Sequence, residues 1–364
     1  MSEVAVSGVL AKTETDNIRP YAPSFMDRIT DWVRHLPMPS WLFYAALALA
    51  FLVLSASVKW LDGSLAFGTI SWLVFLGSCT FPYALAMLHY LDNSASDALA
   101  DFRPAMSIDD QQYAELKYRF TTLPGRPTLL AAIIGALYGV SYPLIESPER
   151  LEATQFLSSV PAAIVALTES ALGYAATAIF FYHSIRQLRM VSRTYAKHAR
   201  VDLFNLRPMH SLSRLAARTS ICMAIPTYAW GFVNVSPESG AIDMAATSIF
   251  ELITFSTVII IMFVWPLVGA RRLLRQAKAA ALTEAQQQFK ATVAELHRRR
   301  ENGEFEGMGG INEALDGLMK EQSVLGKIST WPWQSDTFRA VASAILLPIV
   351  VWAITRLLEN VWVF

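Results

Sequence analysis

Long apolar segments alternate with basic segments along this chain of 364 residues. A transmembrane helix needs roughly 20 mostly apolar residues, because a helix rises about 1.5 Å per residue and the hydrocarbon core is about 30 Å thick. The segments that meet this requirement are 41–61, 69–91, 128–145, 161–183, 215–235, 245–269 and 338–358. The pattern therefore predicts an all-α integral membrane protein with seven transmembrane helices.

The positions of Lys and Arg predict the orientation of the chain. Cytoplasmic segments of membrane proteins retain these residues, and only Lys59, Arg150 and Arg356 fall outside four basic segments. Those segments are the amino terminus, residues 92–127, the segment between spans four and five, and the segment after span six. We therefore expect a protein of the plasma membrane with its amino terminus in the cytoplasm and its carboxyl terminus outside.

The segments next to the spans are also predicted to be helical. Ser24 and Asp27 have the spacing of a helix cap, and the apolar residues that follow share one face, which is typical of a helix at the membrane interface. Residues 183–206 contain neither Gly nor Pro. Span four should therefore continue into the cytoplasm as a helix.

A helical hairpin is expected after span six. Residues 270–300 are rich in strong helix formers, and Leu282, Phe289 and Leu296 are spaced by seven residues, as in a coiled coil. Glycines then separate this segment from a second short helix, 311–325. The predicted parts of the chain are a cytoplasmic segment with an interfacial helix (1–40), a six-span bundle with a cytoplasmic extension at 184–206 (41–269), a cytoplasmic helical hairpin (270–330) and the seventh span (331–364).

Two carboxylates lie well inside apolar segments, Glu169 in span four and Glu251 in span six. Such residues are costly in a bilayer and usually face the protein interior or a water-filled cavity. Both lie about 9 to 12 Å from the outer ends of their spans, so they are candidates for one cation, proton or ligand site. Further candidates for this site are Thr247, Thr254, Tyr138, Tyr174 and Tyr228. A paired or protonated carboxylate that stabilises helix packing, with Arg356 as its counter-ion, explains the two residues equally well.

A basic stripe follows span four on its predicted cytoplasmic extension. Its members recur at steps of three and four residues and are Arg186, Arg189, Arg193, Lys197 and Arg200. Such a stripe could bind anionic lipid headgroups or a phosphate-bearing ligand. A solvated helix face, which also fits the preference for positive charge in the cytoplasm, is the more ordinary explanation.

The residue patterns of common enzyme sites are missing. The six His residues show no metal-binding spacing, and the sequence contains no HExxH, GxSxG, Walker or CxxC motif. We therefore expect no enzyme activity, no metal and no cofactor. The formal net charge is zero, and nothing in its distribution suggests nucleic acid as a partner.

The predicted architecture resembles the insect odorant and gustatory receptor superfamily. The shared features are an amphipathic helix before span one (25–36), seven spans, cytoplasmic extensions of spans four and six, and a last helix in a cytoplasmic half (311–325) and a membrane half (338–358). This resemblance implies a tetrameric ligand-gated cation channel, in which the cytoplasmic helices hold the subunits together. The residues that the resemblance places along the pore are Ala342, Leu346, Ile349, Ala353, Arg356 and Asn360.

Our leading prediction from the sequence is thus an oligomeric ligand-gated ion channel or receptor in the lipid bilayer, with a small-molecule ligand and a homo-oligomeric assembly. The first alternative is a non-conducting membrane sensor or scaffold whose hairpin contacts a cytoplasmic partner. The second is a proton-coupled transporter that uses Glu169 and Glu251, although the inverted repeats typical of such transporters are not visible in the sequence.

Overall fold

The computed structural model describes residues 20–145, 151, 157–234, 244–303 and 306–362; within them, only the backbone is described for 230–234, 244–252, 255, 348, 351–353 and 355–362. In these ranges the regular secondary structure is helical. The helices are α1 (Phe25–Arg34), α2 (Ser40–Leu61), α3 (Trp72–Phe102), α4 (Asp110–Thr121), α5 (Gly125–Ile145), α6 (Val160–His198), α7 (Arg207–Asn234), α8 (Met244–Val264), α9 (Val268–Glu301), α10 (Met308–Lys327) and α11 (Ser335–Trp362).

Five helical stretches within the described ranges are long and apolar enough to cross a membrane. They are Ser40–Leu61, Trp72–Ala105, Gly125–Ile145, Val160–His198 and Ser256–Glu301. These stretches contain the predicted spans one, three and four and most of spans two and six, as expected for an integral membrane protein with several spans. The predicted spans five and seven are the helices α7 and α11, which lie outside that set. The count of seven spans and the orientation of the chain stay predictions.

The predicted cap of the first helix is confirmed. The Ser24 hydroxyl accepts a hydrogen bond from the Asp27 N–H at 3.2 Å, and the Asp27 carboxylate accepts one from the Ser24 N–H at 2.7 Å. The same carboxylate accepts the backbone N–H of Leu123 at 3.1 Å, which fixes α1 to the turn between α4 and α5. Burial raises the pKa of the Asp27 carboxyl, although the hydrogen bonds that it accepts act in the opposite direction.

The segment before α1 is held on the same turn. The Tyr21 hydroxyl and Arg186 Nη1 donate to the carbonyl oxygen of Thr122, at 2.8 Å and 3.1 Å. Arg186 also donates to the Tyr21 hydroxyl, and its guanidinium lies over the Tyr21 ring. Burial raises the pKa of Tyr21 to about 12. Arg186 therefore joins α6 to the chain before α1 and after α4.

The largest hydrophobic core lies where α3, α6 and α7 meet beside α4, which we call the α4 end of the bundle. Its fully buried side chains include Leu99, Phe102, Leu188, Tyr195 and Leu212. The rings of Phe102 and Tyr195 meet edge to face with their centroids 5.5 Å apart, a favourable geometry for aromatic pairs. The Tyr195 hydroxyl is satisfied by donating to the carbonyl oxygen of Met209 at 2.6 Å.

The helix α6 passes through this core without a break, which confirms the predicted continuation of span four. It ends at His198, before the predicted end of the extension at residue 206. The reason lies in the backbone that follows, because the Arg200 N–H donates to the carbonyl oxygen of Ala105 at 2.7 Å. This contact draws the chain away from the helix axis and onto the end of α3.

The two helices predicted after span six are present as α9 and α10, and they pack against each other. A turn of 3₁₀ helix, Trp265–Leu267, separates α9 from α8. Two side chains of α9 hold the linker between α10 and α11. Lys278 Nζ donates to the carbonyl oxygens of Gly326 and Ile328 at 2.7 Å and 2.8 Å, and the guanidinium of Arg271 lies 3.7 Å from the centre of the Trp331 ring. The end of α10 and the linker that leads to α11 are thus attached to α9 at two points.

Candidate ligand cavity

A cavity of about 420 Å³ lies between α2, α3, α6 and α7, with Tyr142 of α5 at one side. It is placed where α2 ends and where α3 and α6 begin, which we call the cavity end of the bundle. Most of the lining side chains are apolar or aromatic, and a few polar groups lie among them. This volume and this mixture are typical of sites that bind small molecules.

Glu169 of α6 is the carboxylate among the lining residues. Its Oε2 accepts a hydrogen bond from the Ser55 hydroxyl at 2.8 Å, and its Oε1 accepts one from the Ser78 hydroxyl at 3.4 Å. Ser55 belongs to α2 and Ser78 to α3, and both are buried. The carboxylate therefore joins three helices at the wall of the cavity. A carboxylate has room for about four hydrogen bonds, so Glu169 retains capacity to accept bonds from a ligand.

Lys59 also lines the cavity. It lies four residues after Ser55, and residues at this spacing share one face of a helix. The cavity thus has both an ammonium group and a carboxylate on its walls. Opposite charges in an apolar cavity interact more strongly than they would in water, so a bound molecule would meet a polarised surface at this end of the bundle.

The helices α5 and α6 are in unusually close contact beside the cavity. A Cβ atom added to Gly139 would lie 2.5 Å from the carbonyl oxygen of Ser170, and one added to Gly135 would meet the backbone at Tyr174 still more closely. The Gly135–Gly139 pair therefore allows two backbones to touch, as small residues do in membrane helices. Because Ser170 and Tyr174 also line the cavity, the glycine contact helps to position one cavity wall.

The three tyrosines predicted for the site have different positions. Tyr174 lines the cavity, and Tyr138 contacts the Tyr174 ring with the two centroids 4.9 Å apart. Tyr138 is 49% exposed and lies outside the lining. The hydroxyls of Tyr228 and Ser256 are hydrogen bonded at 2.8 Å, which places Tyr228 between α7 and α8.

The second predicted carboxylate belongs to α8. The side chains of Glu251 and Thr247 lie outside the part of the chain whose side chains are described. Thr254 on the same helix is exposed. The described geometry at Glu169 is therefore formed with α2 and α3, and a joint site of Glu169 and Glu251 stays a prediction.

The predicted pore residues belong to α11. Val341 and Ile345 of this helix are buried in the core, and Ile349 packs against the same core. Leu346 is 56% exposed and Ala342 is half-buried. The side chains of the remaining predicted pore residues are not among the described ones, and these residues are Ala353, Arg356 and Asn360.

The exposed side of α11 is apolar. This holds beyond the first turns, which carry the exposed ion pair of Asp336 and Arg339. The exposed residues that follow recur at helical spacing and are Ala340, Ser343, Leu346, Leu347, Val350 and Ile354. In a single copy of the chain this stripe has no protein neighbour among the described residues, so it is available to lipid or to another copy.

The basic stripe on α6 divides into two parts. Arg186 is half-buried and holds the segment before α1, as described above. The side chains of the other four predicted members are exposed, and they are Arg189, Arg193, Lys197 and Arg200. The cation nearest the apolar part of α6 is therefore structural, and the cations beyond it face solvent.

Asp62 ties the loop after α2 to the start of α6. Its Oδ2 accepts hydrogen bonds from the hydroxyls of Ser158 and Ser159 at 2.8 Å and 2.7 Å, and its Oδ1 accepts the Ser64 N–H at 2.9 Å. The hydrogen bonds from Ser64 and from Ser158 and Ser159 hold the pKa of Asp62 well below its usual range. The loop at the cavity end is therefore fastened by an ionised carboxylate.

Sequence reasoning missed most of the groups around Glu169, among them Ser55, Ser78 and Lys59. One signal was present, because Lys59 is an ionisable residue within an apolar span and Ser55 lies one helical turn before it. No corresponding signal marks Ser78, since a serine inside a span commonly bonds its own helix backbone. In the described residues no cluster of three or more His, Cys, Asp or Glu side chains is arranged to hold a metal ion.

Comparison of the chain with protein-family models, with curated proteins and with solved structures gives no match. The candidate site therefore stands on its own geometry, which is a mostly apolar cavity with a hydrogen-bonded carboxylate on its wall.

Proposed function

We propose that this chain is a multi-pass membrane receptor that forms an oligomeric ligand-gated channel, and that its ligand binds in the cavity beside Glu169. The observation that carries the proposal is the cavity itself, because its volume suits a small molecule and Glu169 has hydrogen-bonding capacity to spare. In the proposed topology the chain has seven spans, the amino terminus is cytoplasmic, and the cavity opens in the outer half of the membrane.

The assembly is proposed to be a homo-oligomer, with α11 at the centre. The apolar stripe on the exposed side of α11 supports this arrangement, since apolar side chains at helical spacing are suited to packing against equivalent helices. Leu346 would then lie near the pore axis, where an apolar constriction can close a pore by excluding water. Ile349 would lie beside the wall of its own subunit.

A ligand screen followed by electrical recording tests the proposal. We expect small alcohols and amines with one aromatic ring to raise the melting temperature of the purified protein in detergent, and the best of them to open currents in planar bilayers. Glu169→Gln should reduce the response at least about tenfold, because a charge-assisted hydrogen bond contributes about 1.5 to 3 kcal/mol. The control is Glu295→Gln, which changes a carboxylate on α9 far along the chain from the cavity. Equal responses of the two variants would contradict a ligand site at Glu169.

A non-conducting sensor or scaffold is the second candidate function, and the α9–α10 hairpin favours it. Most side chains of these two helices are exposed, so the hairpin offers a large surface to a partner. The oligomeric state in nanodiscs separates the two candidates. A monomer would exclude a central pore formed by α11 and would leave the sensor as the better proposal. A proton-coupled transporter remains the third candidate, supported by the carboxylate and the ammonium group on one cavity.

A further inference from the structure

The helices α6 and α9 come into contact beyond the apolar part of the bundle. A Cβ atom added to Gly269 of α9 would lie 3.9 Å from the carbonyl oxygen of Ser192 on α6, which is van der Waals distance. Each helix carries a long segment without any acidic residue around this contact, 170–201 on α6 and 252–283 across α8 and α9. Basic residues from the two helices are therefore brought together with no carboxylate on either helix nearby.

Helical geometry places two arginines along this contact. Arg189 lies three residues before Ser192, and Arg272 lies three residues after Gly269, so each is on the next turn of its helix and near the contact. Both arginines are exposed. The core-facing residues of the two segments, such as Leu188 and Leu274, are buried. Arg189 and Arg272 consequently lie on the solvent side of the groove between α6 and α9.

Further cations extend this groove. Arg193 and Lys197 continue the exposed side of α6, and Arg275 follows Arg272 on α9; all three are exposed. We call the five residues the basic groove, and its members are Arg189, Arg193, Lys197, Arg272 and Arg275. Arg186 does not belong to it, because it is engaged by Tyr21 and Thr122.

The five cations of the basic groove have no acidic partner among the described residues, in contrast to some basic residues elsewhere in the bundle. Elsewhere Arg103 pairs with Asp110 at 2.7 Å and Arg214 with Asp101 at 2.6 Å. Over the ranges that the structure describes, no member of the basic groove has a carboxylate within salt-bridge distance. Like charges at close range repel one another, so the groove is left with an excess of positive charge that an anion would offset.

We propose that the basic groove binds phosphate groups, with Arg189 and Arg272 as the residues that contact them directly. A guanidinium group presents paired N–H donors that match phosphate oxygens. Each of the two helices supplies one such group within about one turn of the contact between Ser192 and Gly269. Arg189 lies six residues after His183, about 9 Å beyond the apolar part of α6. The polar region of a bilayer is about 5 to 8 Å thick on each side. The Arg189 backbone thus lies just beyond that polar region, and its long side chain can reach back into it. A phosphate bound here belongs either to a lipid headgroup or to a soluble phosphorylated molecule, and the two sources share the same chemistry.

The test compares a double variant with a matched control in both settings. The first arm measures binding of sodium tripolyphosphate to the full-length protein in nanodiscs of phosphatidylcholine, by isothermal titration calorimetry. The second arm counts molecules of short-chain phosphatidic acid that remain bound in native mass spectrometry. The variant Arg189→Gln with Arg272→Gln removes the central pair. The control Lys290→Gln with Arg300→Gln removes two exposed cations of α9 away from the groove, so the change in net charge is equal.

We expect the central pair to account for most of the affinity. Its removal should weaken binding about tenfold or more in at least one arm, while the control stays within about twofold of the unchanged protein. Binding in the first arm alone identifies a soluble phosphorylated ligand, and binding in the second alone identifies a lipid headgroup. Equal weakening in both variants would mean that only net charge matters, and this result, like the absence of binding in both arms, would overturn the proposal.

Discussion

Two polar contacts on the same helix show how the ends of the bundle differ. At the α4 end, His183 Nε2 of α6 lies 3.3 Å from Asp92 Oδ1 of α3, and both side chains are almost completely buried. At the cavity end, Glu169 of α6 is bonded to Ser55 and Ser78 and also lines a cavity. Helix α6 thus has one polar contact that is surrounded by packed side chains and one that borders a cavity.

The difference indicates that the cavity is a local feature of the Glu169 region. A buried polar side chain in this bundle need not lie beside a cavity. Asp92 and His183 are closely packed, and both side chains are at most 7% exposed. The α4 end is further fixed by α1 and by Tyr21, which bond to the turn after α4. The same helices therefore form a closely packed end and an end that contains a cavity.

The largest expected effect comes from truncating a leucine at each end. Leu188→Ala at the α4 end should lower the free energy of unfolding by about 2 to 5 kcal/mol, because it leaves a void in a closed core. Leu76→Ala at the cavity end removes a half-buried side chain that already borders open space, so its cost should be about 1 kcal/mol or less. Thermal unfolding of both variants in the same detergent measures the difference. Similar losses would break the comparison between the two ends.

A smaller effect should show that the cavity end has one rigid wall. Gly139→Ala places a Cβ against the Ser170 backbone, and separating α5 from α6 to relieve that clash should cost about 1 to 3 kcal/mol. The matched control is Gly77→Ala on α3, which also borders the cavity and where a Cβ would meet no atom within 4 Å. Alanine favours the helix there, so the control should unfold at an equal or higher temperature. If both variants behave alike in thermal unfolding, the α5–α6 contact is not the rigid wall described above.

The smallest expected effect is the contribution of Asp62, in the loop at the cavity end, to stability at low pH. The folded-state pKa of Asp62 is lowered. The ionised carboxylate therefore stabilises the fold above about pH 3.9, which is the usual pKa of Asp in an unfolded chain. This stability is lost as the pH falls through the folded-state pKa. Asp62→Asn should therefore flatten the decrease in melting temperature between pH 4 and pH 2. Asp316→Asn on the exposed side of α10 serves as the control and should leave the decrease unchanged. An identical pH profile for Asp62→Asn and the unchanged protein would show that Ser158 and Ser159 do not depend on that carboxylate.

The sequence predicted the helices well because their signals are local. The cap at Ser24 and Asp27 and the Gly-free and Pro-free extension of span four are each contained within a few turns, and both were confirmed. Helix ends were less accurate, since α6 stops at His198 where the chain bonds to Ala105. A contact between residues about 95 positions apart leaves no mark in the local sequence.

The candidate site was only partly predictable for the same reason. Glu169 was identified because a carboxylate in an apolar span is conspicuous. Its hydroxyl partners are 114 and 91 residues away, and nothing in the span sequences predicts which helices would be neighbours. The spacing of Gly135 and Gly139 is typical of close helix packing, but only the structure shows that the partner is α6, which also lines the cavity.

The attachment of the α10–α11 linker to α9 connects the hairpin to α11 by side-chain contacts as well as by the chain. Lys278 and Arg271 fasten the residues that precede α11 to the same helix that continues from α8. A displacement of the hairpin tip would consequently be transmitted through α9 to the linker before α11. A protein that binds the hairpin would therefore be connected to α11 by the side chains of Lys278, Arg271 and Trp331 as well as by the chain itself.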